Sequence, residues 1–120
     1  MKLHKLGIAL VHGRSMEPTL HEGDRLLVLY GARPRSGKLA LVRLPNDRAG
    51  APRPLSVKRL SCRDPEGGDG WWIEKDNPKE GVGVDSWAAD VGAIPAAGIR
   101  ALVLLRVPNR LRLWVPARLR

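Results

Sequence analysis

Two residues of this sequence are of types that could do chemistry together: a serine in a glycine-containing loop and a lysine inside a short apolar strand. Ser15 lies in Gly13-Arg14-Ser15-Met16-Glu17-Pro18-Thr19-Leu20, and Lys58 in Leu55-Ser56-Val57-Lys58-Arg59-Leu60. A serine hydroxyl is a weak nucleophile until a base removes its proton, and an amine can be that base only while it is neutral. The chemistry such a pair offers is attack on a carbonyl carbon, with the acyl group passing to the serine and then to water.

That chemistry sets requirements on the elements around it. Strand alternation puts Ser56, Lys58 and Leu60 on one face and Leu55, Val57 and Arg59 on the other. If the Lys58 face is turned inward, desolvation lowers the amine from about 10.4 toward the range of 7 to 8 useful for a base, at a cost of roughly 4 kcal/mol. Gly13 gives the loop backbone the freedom to approach a substrate carbonyl closely, and Pro18 stiffens the turn that follows. Taken singly each residue is ordinary, since strand lysines usually snorkel outward and a serine near glycine usually serves a turn.

Short β-rich runs alternate with turn clusters along the chain. Strands are expected over Arg25 to Tyr30, Leu39 to Leu44, Leu55 to Leu60 and Trp71 to Glu74, with breaks at Arg33-Pro34, Pro45-Asn46-Asp47 and Pro65 to Gly70. After the polar stretch Asp76 to Gly92, Ala101 to Val107 reads as a buried strand and Arg110 to Val115 as an exposed one. The only helical feature is a short turn around Pro18 to His21. The predicted fold is all-β, a small twisted antiparallel β-barrel or pair of sheets. With 120 residues the chain fits one domain. Its motifs fall within residues 13–107, and 108–120 form a C-terminal strand or tail.

Composition excludes several classes. The formal charge is +9, from 21 Lys and Arg against 12 Asp and Glu, yet the basic residues form no dense block. No basic-plus-aromatic signature of a nucleic-acid binder is present, so no nucleic-acid partner is expected. Cys62 is the single cysteine, which rules out an intrachain disulfide and a cysteine-rich metal site. His4, His12 and His21 lack the spacing of a zinc helix and read as surface or loop residues, so neither metal nor cofactor is expected. The apolar run Gly7 to Val11 is far short of the ~20 residues of a membrane helix. A cytoplasmic location follows as an expectation, with peripheral membrane contact compatible. In a domain with no Phe and one Tyr, Trp71, Trp72, Trp87 and Trp114 are expected to fill the core.

The segments GRSMEPTL, EGDRLLV and SVKRL, in that order, resemble the type I signal peptidase family, whose nucleophile lies in a Ser-Met-x-Pro-Thr/Ser-Leu segment and whose base is the Lys of a Val-Lys-Arg strand. A third block is similar in Asp76-Asn77-Pro78 and Asp85-Ser86, so the likeness runs from about Gly13 to Pro95. The short, anchorless members that mature nickel-type superoxide dismutase are similar in GDRLLV, in VRLP and in Gly70-Trp71-Trp72 before Asp76-Asn77-Pro78.

The resemblance implies a serine endopeptidase that removes a short N-terminal propeptide or leader from a protein substrate, with nickel superoxide dismutase precursor as the candidate. The nickel would belong to that substrate. Ser15 and Lys58 would be catalytic; Gly13, Ser15 and Met16 would form the oxyanion and substrate-binding segment; Pro18, Asp24, Asp76, Asn77 and Asp85 would support the site. The chain departs from the family at four places: Lys75 stands for a Gly, Trp87 for an Arg, Gly83 for a helper Ser that orients the lysine, and Gly13 for a residue that lends a side-chain hydroxyl to the oxyanion site. A backbone oxyanion site, formed by the Ser15 amide, is therefore expected. Self-cleaving repressor-type peptidases share the Ser/Lys pair, but with 14 residues ahead of Ser15 cleavage in trans is expected. The non-enzyme alternative is a basic β-barrel binding module with its tryptophans as stacking surfaces.

Overall fold

The computed structural model describes residues 4–108. Six strands form one antiparallel sheet: β1 (Lys5–Leu10), β2 (Arg25–Tyr30), β3 (Leu39–Val42), β4 (Ser56–Arg63), β5 (Trp71–Glu74) and β6 (Ile99–Arg106). A 3-10 turn, Ala96–Gly98, leads into β6. The sheet order is β1-β2-β6-β3-β4-β5. The all-β reading therefore holds, but the closed barrel or second sheet does not. β1 and β5 are the two margins of a single open sheet and no ladder joins them. The outer margin of β5 is instead occupied by its own loop, through the Trp71–Ile94 bridge, the Ser86 N–H bond to Ile73 O and the Ile73 N–H bond to Ser86 Oγ.

The strands β2 and β5 match the sequence reading, because each is an unbroken apolar run between turn residues. β3 stops at Val42, where its register against β6 shifts; Arg43 N–H still reaches Gly98 O, and Pro45 then has no donor to offer. β4 continues past Leu60 to Arg63 through a bulge opposite β5. β1 covers most of the apolar run near the N-terminus, where no strand is predicted. Its Gly7 is required by packing, since a β-carbon there would lie 2.7 Å from the Tyr30 ring. Arg110 to Val115, the remaining predicted strand, lies outside the described residues.

The sheet is buried on both faces, as the register explains. One face carries Ala9, Leu26, Val28, Leu41 and Ala101, and Val11, Met16 and Leu20 from the Ser15 loop join their cluster. The other carries Ala40, Val42, Leu60, Ile73 and Leu102, with Ile94 and Trp71 packed among them. Leu26, Leu60 and Ile73 have no exposed surface, so truncating any of them to Ala should cost about 2–5 kcal/mol. No helix among the described residues is long and apolar enough to cross a membrane.

Candidate active site

Lys58 sits in β4 on the face it shares with Leu60, opposite the small Ala40 of β3. Lys58 is 2 % exposed. Burial lowers its pKa to about 8; the Asp85 carboxylate pulls the other way, and the like charge of Lys75 adds to the lowering. Of the two orientations strand alternation leaves open for the Lys58 face, the fold contains the inward one.

β5 ends at Glu74, opposite Arg59, so residues 56–58 of β4 have no partner on that side. There the Ser15 loop and residues 82–84 come up to Lys58. Gly83, at φ +100°, marks their meeting point: the place its β-carbon would occupy lies 3.3 Å from Lys58 Nζ and 3.6 Å from Ser15 Oγ. No direct hydrogen bond joins hydroxyl and amine among the described residues. Catalytic hydrogen bonds are commonly long in free enzymes and tighten around substrate.

The Ser15 loop is held by partners far away in sequence. Asn77 N–H donates to Ser15 O and Asn77 Nδ2 to Arg14 O, both at 2.9 Å. Asp76 accepts from Arg59 Nε at 2.9 Å and Nη2 at 2.6 Å, and from the Thr19 hydroxyl at 2.6 Å. One carboxylate therefore joins the strand residue next to Lys58 to the turn after Ser15. Arg59 holds that carboxyl below its usual range. Met16 is buried, and its sulfur accepts the Asp76 amide at 3.4 Å. Asp24 accepts the His21 amide while its own carbonyl takes Val11 N–H, closing the base of the loop. Pro18 follows a cis peptide bond in the same turn.

Asp85 is buried and accepts backbone N–H groups from Lys75 and Trp87. Lys75 Nζ donates to Asn77 O and Lys79 O, bracing the turn that grips Ser15. Of the residues expected to support the site, Asp76, Asn77 and Asp24 bind the segment between β1 and β2 through their side chains, and Asp85 holds the Lys75 and Trp87 amides.

Ser15 lines two clefts. One, about 210 Å³, has apolar walls from Ala9, Val11, Met16, Leu41, Leu55 and Val57. The other, about 440 Å³, is flanked by Gly13, Ser56, Lys58, Gly83 and Val84. His12 borders both and is exposed, as a loop residue should be. Its place beside the serine, and that of Ser56, had only proximity in sequence to Ser15 and Lys58 as a signal. Gly13 N–H is taken by Glu22 Oε1 at 2.8 Å, a long-range pairing with no sequence signature. Among the described residues no acceptor takes the Ser15 amide.

The tryptophans divide. Trp71 is core at 5 % exposed, whereas Trp87, expected in the core, is 71 % exposed and lies on the surface. Its ring meets Trp72 edge-on with centroids 5.3 Å apart, and its Nε1 donates to Glu74. Those two contacts hold it outside the core. Trp114 lies outside the described residues.

No protein-family profile, curated protein or solved structure matches this chain.

Proposed function

We propose that the chain is a serine peptidase of the type I signal peptidase-like class, with Ser15 as nucleophile and Lys58 as general base. The observation that carries this reading is a buried lysine, lowered to about pH 8, converging with a loop serine on one point beside Gly83. At pH 7 roughly a tenth of such an amine is neutral, enough for a base that is regenerated every turnover.

In this mechanism neutral Lys58 takes the Ser15 proton as Oγ attacks the scissile carbonyl. The resulting ammonium protonates the leaving amine, and Lys58 then activates the water that releases the acyl group. The Ser15 amide serves as oxyanion donor, because the Gly13 amide is engaged by Glu22. The small apolar cleft suits one apolar substrate side chain, with the larger cleft taking the chain on the lysine side.

The substrate is a protein cleaved in trans near its N-terminus, and nickel superoxide dismutase precursor is the candidate. In support of trans cleavage, β1 is committed to its ladder with β2, and Val11 is bonded to Asp24, so the described chain ahead of Ser15 is held in the sheet. The test is to incubate the purified protein with that precursor and weigh the products. A new N-terminus should form with the native protein and not with Ser15→Ala or Lys58→Arg, since a guanidinium does not give up its proton. Processing by Lys58→Arg at the native rate would remove the general-base assignment.

A further inference from the structure

A second pocket lies at the β4–β5 end of the sheet, away from Ser15. Its volume is about 450 Å³, within the range of ligand sites. Ser61, Asp64, Glu66, Trp72, Glu74 and Trp87 line it, together with Cys62 and Pro65, and among the described residues no Lys, Arg or His does. In a chain of charge +9, three carboxylates around two indoles make a local inversion of sign.

The pocket is pre-built. Trp87 is largely exposed yet fixed twice, by its edge-on contact with Trp72 and by the 2.7 Å bond from Nε1 to Glu74 Oε2. The other oxygen of Glu74 accepts the Ser61 hydroxyl. These two donors hold the Glu74 carboxyl below its usual range, so it is charged at neutral pH. Asp64 uses one oxygen to accept Glu66 N–H at 2.9 Å, which orients the rim. The nearby Arg63 is turned to the Trp71 ring, 5.0 Å from its centroid, and does not line the pocket.

We propose that this pocket receives an arginine or lysine side chain presented by a partner polypeptide. Indole faces attract cations more strongly than other aromatic rings do, and the methylene stem of a long basic side chain packs well on them. Asp64 and Glu66 stand ready for the charged head, while an anionic occupant would be repelled and a purely apolar one would desolvate the carboxylates without pairing them. The inference is independent of the peptidase reading, because it concerns binding at a place that shares no lining residue with the Ser15 clefts.

The test is a titration of nitrogen-15-labelled protein followed through the indole Nε1–H resonances, with a blocked Gly-Arg-Gly tripeptide as probe and Gly-Glu-Gly as control. The Trp87 resonance should shift saturably with the arginine peptide and stay in place with the glutamate peptide. Binding should weaken about five- to tenfold in Glu66→Gln, the scale of one cationic contact, and the Trp72 resonance should stop responding in Trp87→Ala. Both residues are exposed, so neither substitution threatens the fold. An equal response to the two peptides, an undiminished Trp72 response in Trp87→Ala, or no saturable response would overturn the proposal. Tighter binding of choline than of the arginine peptide would also overturn it, in favour of a small quaternary ammonium ligand.

Discussion

Gly83 faces Ser15 so closely that a β-carbon on residue 83 would stand 2.7 Å from the Ser15 β-carbon, nearer than such atoms approach in real proteins. With φ at +100°, the position is strained for any other residue as well. A serine side chain at this place has no room. Gly83→Ser and Gly83→Ala should both lose activity, by about 100-fold if Ser15 is displaced by an ångström. Equal loss in the two, measured as kcat on the precursor, would assign the effect to the β-carbon; a gain in Gly83→Ser would contradict this packing.

Lys58 carries its proton up to about pH 8 in the folded chain and up to 10.5 when unfolded. Between those values the unfolded state binds more protons, so stability rises with pH there; below pH 8 the buried ammonium costs roughly 3 kcal/mol. Lys58→Met should therefore be more stable than the native protein at pH 7, by up to that amount, and completely inactive. Denaturant melts repeated from pH 7 to 10 should show the advantage shrinking.

Activity should follow the same titration. The rate on the precursor is expected to rise about tenfold per pH unit below pH 8 and level above it. Asp85→Asn removes the carboxylate that raises the Lys58 pKa, so its pH profile should move to lower pH. An asparagine can accept only one of the two backbone N–H bonds made by Asp85, so a stability loss of about 1–2 kcal/mol should accompany the shift.

Asn77→Asp cannot donate to Arg14 O but still accepts from Lys79 N–H. It should lower kcat by about 10- to 100-fold while costing about 1–2 kcal/mol of stability, as read from single-turnover rates and chemical melts.

Asp76, bonded to Arg59 and Thr19, has its carboxyl held below 3.8. A depressed carboxyl stabilises the fold above its ordinary pKa and loses that contribution as pH falls through the folded value. Asp76→Asn should accordingly be less stable at pH 7, with the difference vanishing under strong acid. Circular dichroism melts across pH 2 to 7 would follow it.

Much of this arrangement was legible in the sequence, because the informative signals are local. Alternation in Leu55 to Leu60 groups Lys58 with Ser56 and Leu60 on one face, though not which way that face points, and the uninterrupted runs at Arg25–Tyr30 and Trp71–Glu74 mark β2 and β5. β1 is missed because the run Gly7 to Val11 is weighed only against the length of a membrane helix, and its pairing with β2 is a tertiary fact. Whether a sheet closes depends on the pairing of its outermost strands, and no short window encodes that. Trp87 lies in a loop with no periodicity to assign its side. The grip of Glu22 on Gly13 and of Asn77 on Ser15 joins residues that only the finished fold makes neighbours.

β6 is the last strand in the described chain, yet it lies in the middle of the sheet, between β2 and β3. The hairpin carrying Ser15 and the three-stranded unit that includes Lys58 share no ladder except through it. Without β6 the described strands fall into two separate ladders, linked by loop contacts such as that of Asn77 with Ser15. Weakening β6 should therefore disturb the approach of Ser15 to Lys58 as a whole rather than through one residue.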